Sequence, residues 1–215
     1  MGQLAYHHRF EPGTDASAPP LLLLHGTGGD ENDLIPLAQQ LSPKSALLSP
    51  RGDVQENGHP RFFRRFAEGV FDFADVERRA HALADFIGAA AQQYGFNASR
   101  LTALGLSNGA NIAASVLLLR PDSLAAAVLL RPMVVLNPPS LPRLDRKRIL
   151  ICSGTHDPIV PPDHPQLLAE MFRRAGAEVS WHSSDAGHRL VSTDIVATKT
   201  FLISAGKSEA GRSEA

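Results

Sequence analysis

The pentapeptide Gly105-Leu106-Ser107-Asn108-Gly109 has the form G-x-S-x-G. A serine hydroxyl attacks a carbonyl only when it is raised clear of its surroundings and set beside a base. A sharp turn from strand to helix does both. Such a turn brings backbone segments close, so the flanking residues must be small. The helix that follows aims its first N–H groups at the place where negative charge develops. The apolar run RLTALGL before the motif and NIAASVLLL after it supply a strand and a helix of the right kind. The chemistry indicated is acyl transfer with Ser107 as nucleophile. A plain strand-to-helix turn capped by a serine is the alternative.

An attacking serine needs a base and a carboxylate to orient that base. Downstream lie ILICSGTHDPIVP and SSDAGHRL. Asp157 follows one apolar run by a few residues, and His188 follows the alternating EVSWH. Asp157-Pro158 also reads as a simple turn, and His156 competes with its neighbour. Asp157 is the better orienter for an imidazole. His182 competes with His188 but sits inside the alternating run, whereas Ala-Gly ahead of His188 suits a loop that presents a side chain. The oxyanion formed in acyl transfer needs two N–H donors. One is expected from Asn108, directly after the serine. The other is expected from Thr27 in His25-Gly26-Thr27-Gly28-Gly29, a loop of the H-G-G-G kind. The loop has no G-x-G-x-x-G and no Gly-Lys-Ser/Thr, so a phosphate-binding reading is poor.

These residues need elements to hold them. LLLLHG at 21–26 has no alternation and is bounded by proline and glycine, as in a strand buried on both faces. Residues 3–10 suit a short edge strand. Residues 45–49, 100–106, 125–131, 148–152 and 178–182 read as further strands. Helices are expected at 74–94, 108–119, 165–175 and 192–203. Another is expected after TGGDEND, capped by Asn32 or Asp33 with Pro36 in its first turn. Alternation of strands and helices implies βαβ units: an α/β fold with a mostly parallel central sheet and helices on both faces. Ser107, Asp157, His188 and the 25–29 loop then all follow carboxyl ends of strands, where ligands bind in such sheets.

Residues 50–72 show no clean period and form a long excursion of the kind that often carries function. Of its phenylalanines and their neighbour, Phe62, Phe63, Phe66, Phe71 and Phe73 are either pocket or core. Phe62, Phe63 and Val160 are the substrate-wall candidates. Arg61, Arg64 and Arg65 read as a solvated face, with an acidic substrate as the alternative. The histidines at 7, 8, 25, 59, 81 and 164 make no convincing metal set, and no H-E-x-x-H or cysteine pair is present. Cys152 reads as core.

The chain of 215 residues is 43% hydrophobic and 20% charged, which suits one globular domain rather than a disordered chain. A single domain over 1–205 with no large cap is expected, with 206–215 as a disordered tail. The net charge of −1 gives no basic excess to attract nucleic acid or an anionic membrane. One cysteine excludes an intrachain disulfide and fits a reducing cytoplasm. The N-terminus lacks a secretory pattern, and the apolar runs fall far short of the ~20 residues of a membrane span. A cytoplasmic protein without stable membrane insertion is expected, and a homodimer stays open.

Taken together, LLLLHGTGGDENDL, GLSNGA, GTHDPIVP and DAGHRL resemble the phospholipase/carboxylesterase branch of the α/β-hydrolases. That branch includes acyl-protein thioesterases and neighbours the dienelactone hydrolases. The resemblance covers residues 20–203. NGHPRFFRRFAEGVFD looks like the corresponding segment of small bacterial carboxylesterases, some of them linked with quinone stress. The resemblance implies an α/β-hydrolase fold, a small-molecule ester or thioester substrate and no cofactor. It also implies a triad of Ser107, Asp157 and His188, with oxyanion donors at Thr27 and Asn108. Dienelactone hydrolases use a cysteine nucleophile, and serine stands at that position here. A carboxylesterase is the first expectation. The alternatives are a thioesterase or lysophospholipase for longer acyl chains, and a non-catalytic binding protein on the same scaffold.

Overall fold

A computed structural model describes residues 4–210. Its strands are β1 (His8–Glu11), β2 (Leu21–Leu24), β3 (Leu47–Pro50), β4 (Val54–Glu56), β5 (His59–Arg61), β6 (Arg65–Ala67), β7 (Val70–Phe71), β8 (Thr102–Leu106), β9 (Ala126–Leu130), β10 (Arg148–Gly154) and β11 (Glu178–Ser184). Its α-helices are α1 (Ile35–Leu41), α2 (Phe73–Tyr94), α3 (Asn108–Leu119), α4 (His164–Arg174) and α5 (Ser192–Ala210). The expected tail falls partly on α5. Residues 211–215 lie outside the described residues.

Seven strands form one sheet in the order β1-β3-β2-β8-β9-β10-β11. All neighbours run parallel except β1, which pairs antiparallel with β3 at the edge. The fold is therefore α/β, with a mostly parallel sheet. One apolar cluster gathers residues of α2, α3 and α4 on one face of the sheet. A second gathers those of α1 and α5 on the other face. The four leucines of β2 are all buried because β3 and β8 flank the strand and helices cover both faces. From β2 the chain winds outward to β3, then returns to β8 and proceeds the other way. The reversal puts a topological switch point between β2 and β8, the place at which such sheets bind ligands at their carboxyl ends.

Two local expectations change. The cap of α1 is neither Asn32 nor Asp33: the helix begins after Leu34 with no side-chain cap. The turn ahead of it is closed instead by Asp30, whose Oδ1 accepts Asn32 N at 2.7 Å. The excursion 50–72 is two small hairpins, β4–β5 and β6–β7, not irregular chain. Their strands are two or three residues long, too short to show a period of two. Asn57 and Gly58 (φ 53° and 81°) make the first turn with two left-handed residues in succession, the Asn-Gly hairpin signal. Among the described residues no helix is long and apolar enough to cross a membrane.

Candidate active site

Ser107 stands directly after β8 and caps α3 with φ 51° and ψ −112°. A left-handed φ is costly for a residue with a Cβ and persists only where the surroundings enforce it. Here they do. Ser107 N donates to Leu130 O at 2.8 Å, and Ser107 O accepts Asn111 N at 2.9 Å. The two glycines of the motif are sterically required. A Cβ on Gly109 would come within 1.9 Å of Leu24 O, and one on Gly105 within 2.5 Å of Gly109 O. The small flanks expected from the sequence are thus what lets β8 turn sharply into α3 against β2.

Asp157 and His188 meet, although one follows β10 and the other β11. His188 Nδ1 lies 2.8 Å from Asp157 Oδ2. The second carboxylate oxygen, Oδ1, accepts Ile159 N at 2.9 Å and Val160 N at 3.1 Å. The aspartate that could have been a simple turn is therefore also a turn, and that turn fixes the plane of the carboxylate. Its side chain is nearly inaccessible, while that of His188 is 22% exposed. Among the described residues no hydrogen bond joins Ser107 Oγ to His188. Hydrogen bonds of this kind are often long in unliganded sites and tighten when substrate arrives.

The competing histidines have other partners. His156 is exposed and pairs with Asp185 at 3.0 Å. His182 lies within β11, opposite Cys152 of β10. His25 is buried. Its Nε2 accepts Gly52 N at 2.9 Å, and its Nδ1 faces Gly26 O at 2.7 Å and donates to it. Those two partners define one neutral tautomer, and burial holds the imidazole below its ordinary pKa. His25 thus ties the loop after β2 to the segment after β3. Burial pushes the Cys152 thiol up to about 12, so it stays a neutral core group.

The loop after β2 faces the first turn of α3 across the switch point. Gly28 N donates to Pro60 O and Gly29 N to Gly26 O. Thr27 N and Asn108 N have no acceptor among the described residues, so both remain available to a substrate oxygen. The Asn108 side chain is buried and does separate work: its Oδ1 accepts Phe62 N at 2.8 Å, which fastens the excursion to the elbow.

The excursion is where the sequence reading departs furthest from the structure. Phe62 and Phe63 are fully buried, and Phe62 packs on the His25 ring at a centroid distance of 4.7 Å. They lie in the core, with Phe62 against the loop after β2. Phe71 is also buried, while Phe66 and Phe73 are exposed. Val160 is nearly buried and borders a cavity of about 230 Å³ that also touches Asp157. Arg61 is not part of a solvated face. It is 2% exposed, donates from Nη1 to Thr27 Oγ1 at 2.6 Å and from Nε to Phe63 O at 3.3 Å, and pairs with Glu56 at 3.0 Å. These acceptors are what permit its burial. Arg64 does face solvent and pairs with Asp72.

One residue beside the site is missed by sequence reasoning. Arg131, directly after β9, is buried and ion-paired with Asp194 at 2.6 Å. Its trace in the sequence is a charged residue closing the all-apolar run AAAVLL.

A model of the phospholipase/carboxylesterase family matches residues 6–205. MhqD of Bacillus subtilis (strain 168), named as a hydrolase, is 44% identical over 183 residues, covering 85% of this chain and 90% of that protein. A carboxylesterase from Bacillus cereus superposes with a TM-score of 0.90 at 43% identity, covering 92% of this chain and 93% of that one. A carboxylesterase from Mesorhizobium loti does so with a TM-score of 0.83 at 34% identity, covering 88% and 90%.

Proposed function

The chain belongs to the phospholipase/carboxylesterase family of hydrolases, and from that premise we propose that it is a serine carboxylesterase acting on small or medium carboxylic esters through an acyl-enzyme. The observation that carries the reading is the His188–Asp157 pair at 2.8 Å, held over the same sheet edge at which Ser107 stands in a left-handed turn.

Each residue then has one task. Asp157, with Oδ1 occupied by two backbone N–H groups, keeps Oδ2 for His188 Nδ1 and so leaves Nε2 as the basic nitrogen. As substrate binds, His188 Nε2 takes the proton of Ser107 Oγ while that oxygen bonds to the ester carbonyl carbon. The carbonyl oxygen becomes an oxyanion and accepts from Thr27 N and Asn108 N. Collapse breaks the C–O bond of the ester, and His188 returns its proton to the departing alcohol. Water, deprotonated by His188, then attacks the acyl-enzyme, releasing the carboxylic acid and restoring Ser107. The reaction requires no redox change and balances without a cofactor.

Turnover of short-chain p-nitrophenyl esters tests this reading. Ser107→Ala is expected to lower kcat by roughly 10⁴-fold or more. Full turnover in that variant would sink the proposal. The same panel extended through longer acyl chains and thioesters tests the preference for small or medium esters, which a rate that rises with chain length would overturn.

A further inference from the structure

We propose that Arg131 is a positioning residue for this reaction: its guanidinium clamps the backbone on both sides of His188 and so fixes where the imidazole points. The inference rests on the reading of His188 as general base.

Arg131 and Ser107 occupy equivalent places in the sheet. Each directly follows a parallel strand, β9 and β8 respectively, and those strands are neighbours. Each has a left-handed φ without being glycine, 55° for Arg131 and 51° for Ser107. Each donates its backbone N–H to the next strand, Arg131 N to Cys152 O at 2.8 Å and Ser107 N to Leu130 O at 2.8 Å. A strained backbone at a non-glycine residue signals that the side chain is wanted in that direction.

The direction is toward the His188 loop. Arg131 Nε donates to Gly187 O at 3.0 Å, and Nη2 donates to Arg189 O at 3.0 Å. Those are the carbonyls immediately before and after His188. Nη2 also reaches Ser184 Oγ at 3.2 Å and Asp194 Oδ2 at 2.6 Å, and Nη1 reaches Asp194 Oδ1 at 3.3 Å. Asp194, at the start of α5, accepts Val191 N at 2.9 Å as well. Burial pushes the Asp194 carboxyl up, but the bonds from Arg131 and Val191 N outweigh it and hold the group below its ordinary value, hence charged.

All three guanidinium nitrogens are therefore engaged, and both side chains of the ion pair are inaccessible to solvent. A purely structural ion pair needs only the Asp194 contacts. The bonds to Gly187 O and Arg189 O go further, because they leave the loop around His188 little torsional freedom. Asp157 then fixes the ring from its Nδ1 side. A planar fork with donors at fixed spacing can serve two carbonyls and a carboxylate together, which a lysine ammonium cannot do from one nitrogen.

The test uses two variants of the full chain. Arg131→Met combined with Asp194→Leu removes the ion pair as a unit, so no buried charge is left unpaired. Arg131→Lys keeps the charge opposite Asp194 and loses the fork. Both are expected to lower kcat by about 10- to 100-fold with KM within about two-fold, as a misaligned base does. The rate of Ser107 labelling by a fluorophosphonate should fall by a similar factor. The low-field proton resonance of the His188–Asp157 bond should broaden or vanish. Arg131→Lys is expected to stay folded at the assay temperature with a lowered thermal midpoint, because it strands buried carbonyls, and it decides the matter if the double variant does not fold. A folded Arg131→Lys protein with kcat within two-fold of the unaltered enzyme would overturn the proposal. His188→Ala, run in parallel, separates the two claims. If it stays active, the general-base reading fails. If it is inactive while Arg131→Lys is fully active, only the role of Arg131 fails.

Discussion

The two halves of the site are held in different ways. The acid–base half, Asp157 and His188, rests on parallel strands and on a fully buried ion pair, Arg131–Asp194. The half proposed to hold the oxyanion, Thr27 and Asn108, is buttressed by the double hairpin over 50–72. That hairpin presents an inner row of Arg61, Phe62 and Phe63 and an outer row of ion pairs, Arg64–Asp72 and Arg65–Glu68, each with one exposed and one largely covered partner. The first arrangement fixes His188 against Asp157. The second ties the Thr27 loop and the start of α3 to a surface segment, through Arg61 on Thr27 Oγ1 and Phe62 N on Asn108 Oδ1. The inner row does the holding.

The largest difference between the halves should be in chemistry. Asp157→Asn leaves the loop intact, since Oδ1 can still accept Ile159 N and Val160 N, but it removes the partner that sets the His188 tautomer. A fall in kcat of roughly 10⁴-fold is expected, read on a short ester with folding checked by circular dichroism. A fall of less than ten-fold would mean that the acid–base half is not what limits the reaction.

On the oxyanion side the expected effect is smaller. Arg61→Met removes the bond to Thr27 Oγ1 while Glu56 keeps Arg65 as a partner at 3.0 Å. The Thr27 N–H itself survives but is less well aimed. We expect kcat to drop by about 10- to 100-fold, less than the roughly 10²–10³-fold typical of losing an oxyanion donor outright. An unchanged kcat would show that the hairpin does not position the loop.

The smallest effect concerns stability alone. Two hydrogen bonds from Arg51, at 2.5 and 2.7 Å, together with His7 at 3.2 Å, hold the Glu31 carboxyl down at about 2 from its ordinary 4.5. A carboxylate with a lowered pKa contributes stability that is whole above the unfolded value. The contribution is lost as pH falls from 4.5 toward about 2. Glu31→Gln is expected to flatten the thermal midpoint across that window and to leave kcat near neutral pH within about two-fold. A slope as steep as that of the unaltered protein would assign the acid sensitivity to other groups.

How far the sequence carried the account follows the same division. The strand-to-helix turn at Ser107 and the strand-end loops that bring Asp157 and His188 together were legible because each sits beside local signals: an apolar run, a glycine motif, a proline turn, an Ala-Gly pair. The central strands were legible because burial on both faces writes itself as unbroken apolar sequence. Arg131 and Asp194 were not, being 63 residues apart and joined only by the closed sheet. In sequence a buried charge looks like an exposed one, and for that reason Arg61 read as solvated. The double hairpin escaped because two- and three-residue strands have no period, although Asn57-Gly58 marked its first turn. No side chain caps α1: the helix begins after Leu34, and Asp30, two residues before Asn32, closes the turn ahead of it.

The central claim is that Ser107 is the nucleophile and is activated by the His188–Asp157 pair. Incubation with a fluorophosphonate, followed by intact mass and peptide mapping, tests it most directly. The account predicts one adduct per chain, on Ser107, absent in Ser107→Ala and formed far more slowly in His188→Ala. An adduct on any other residue, or undiminished labelling of Ser107→Ala, would contradict it.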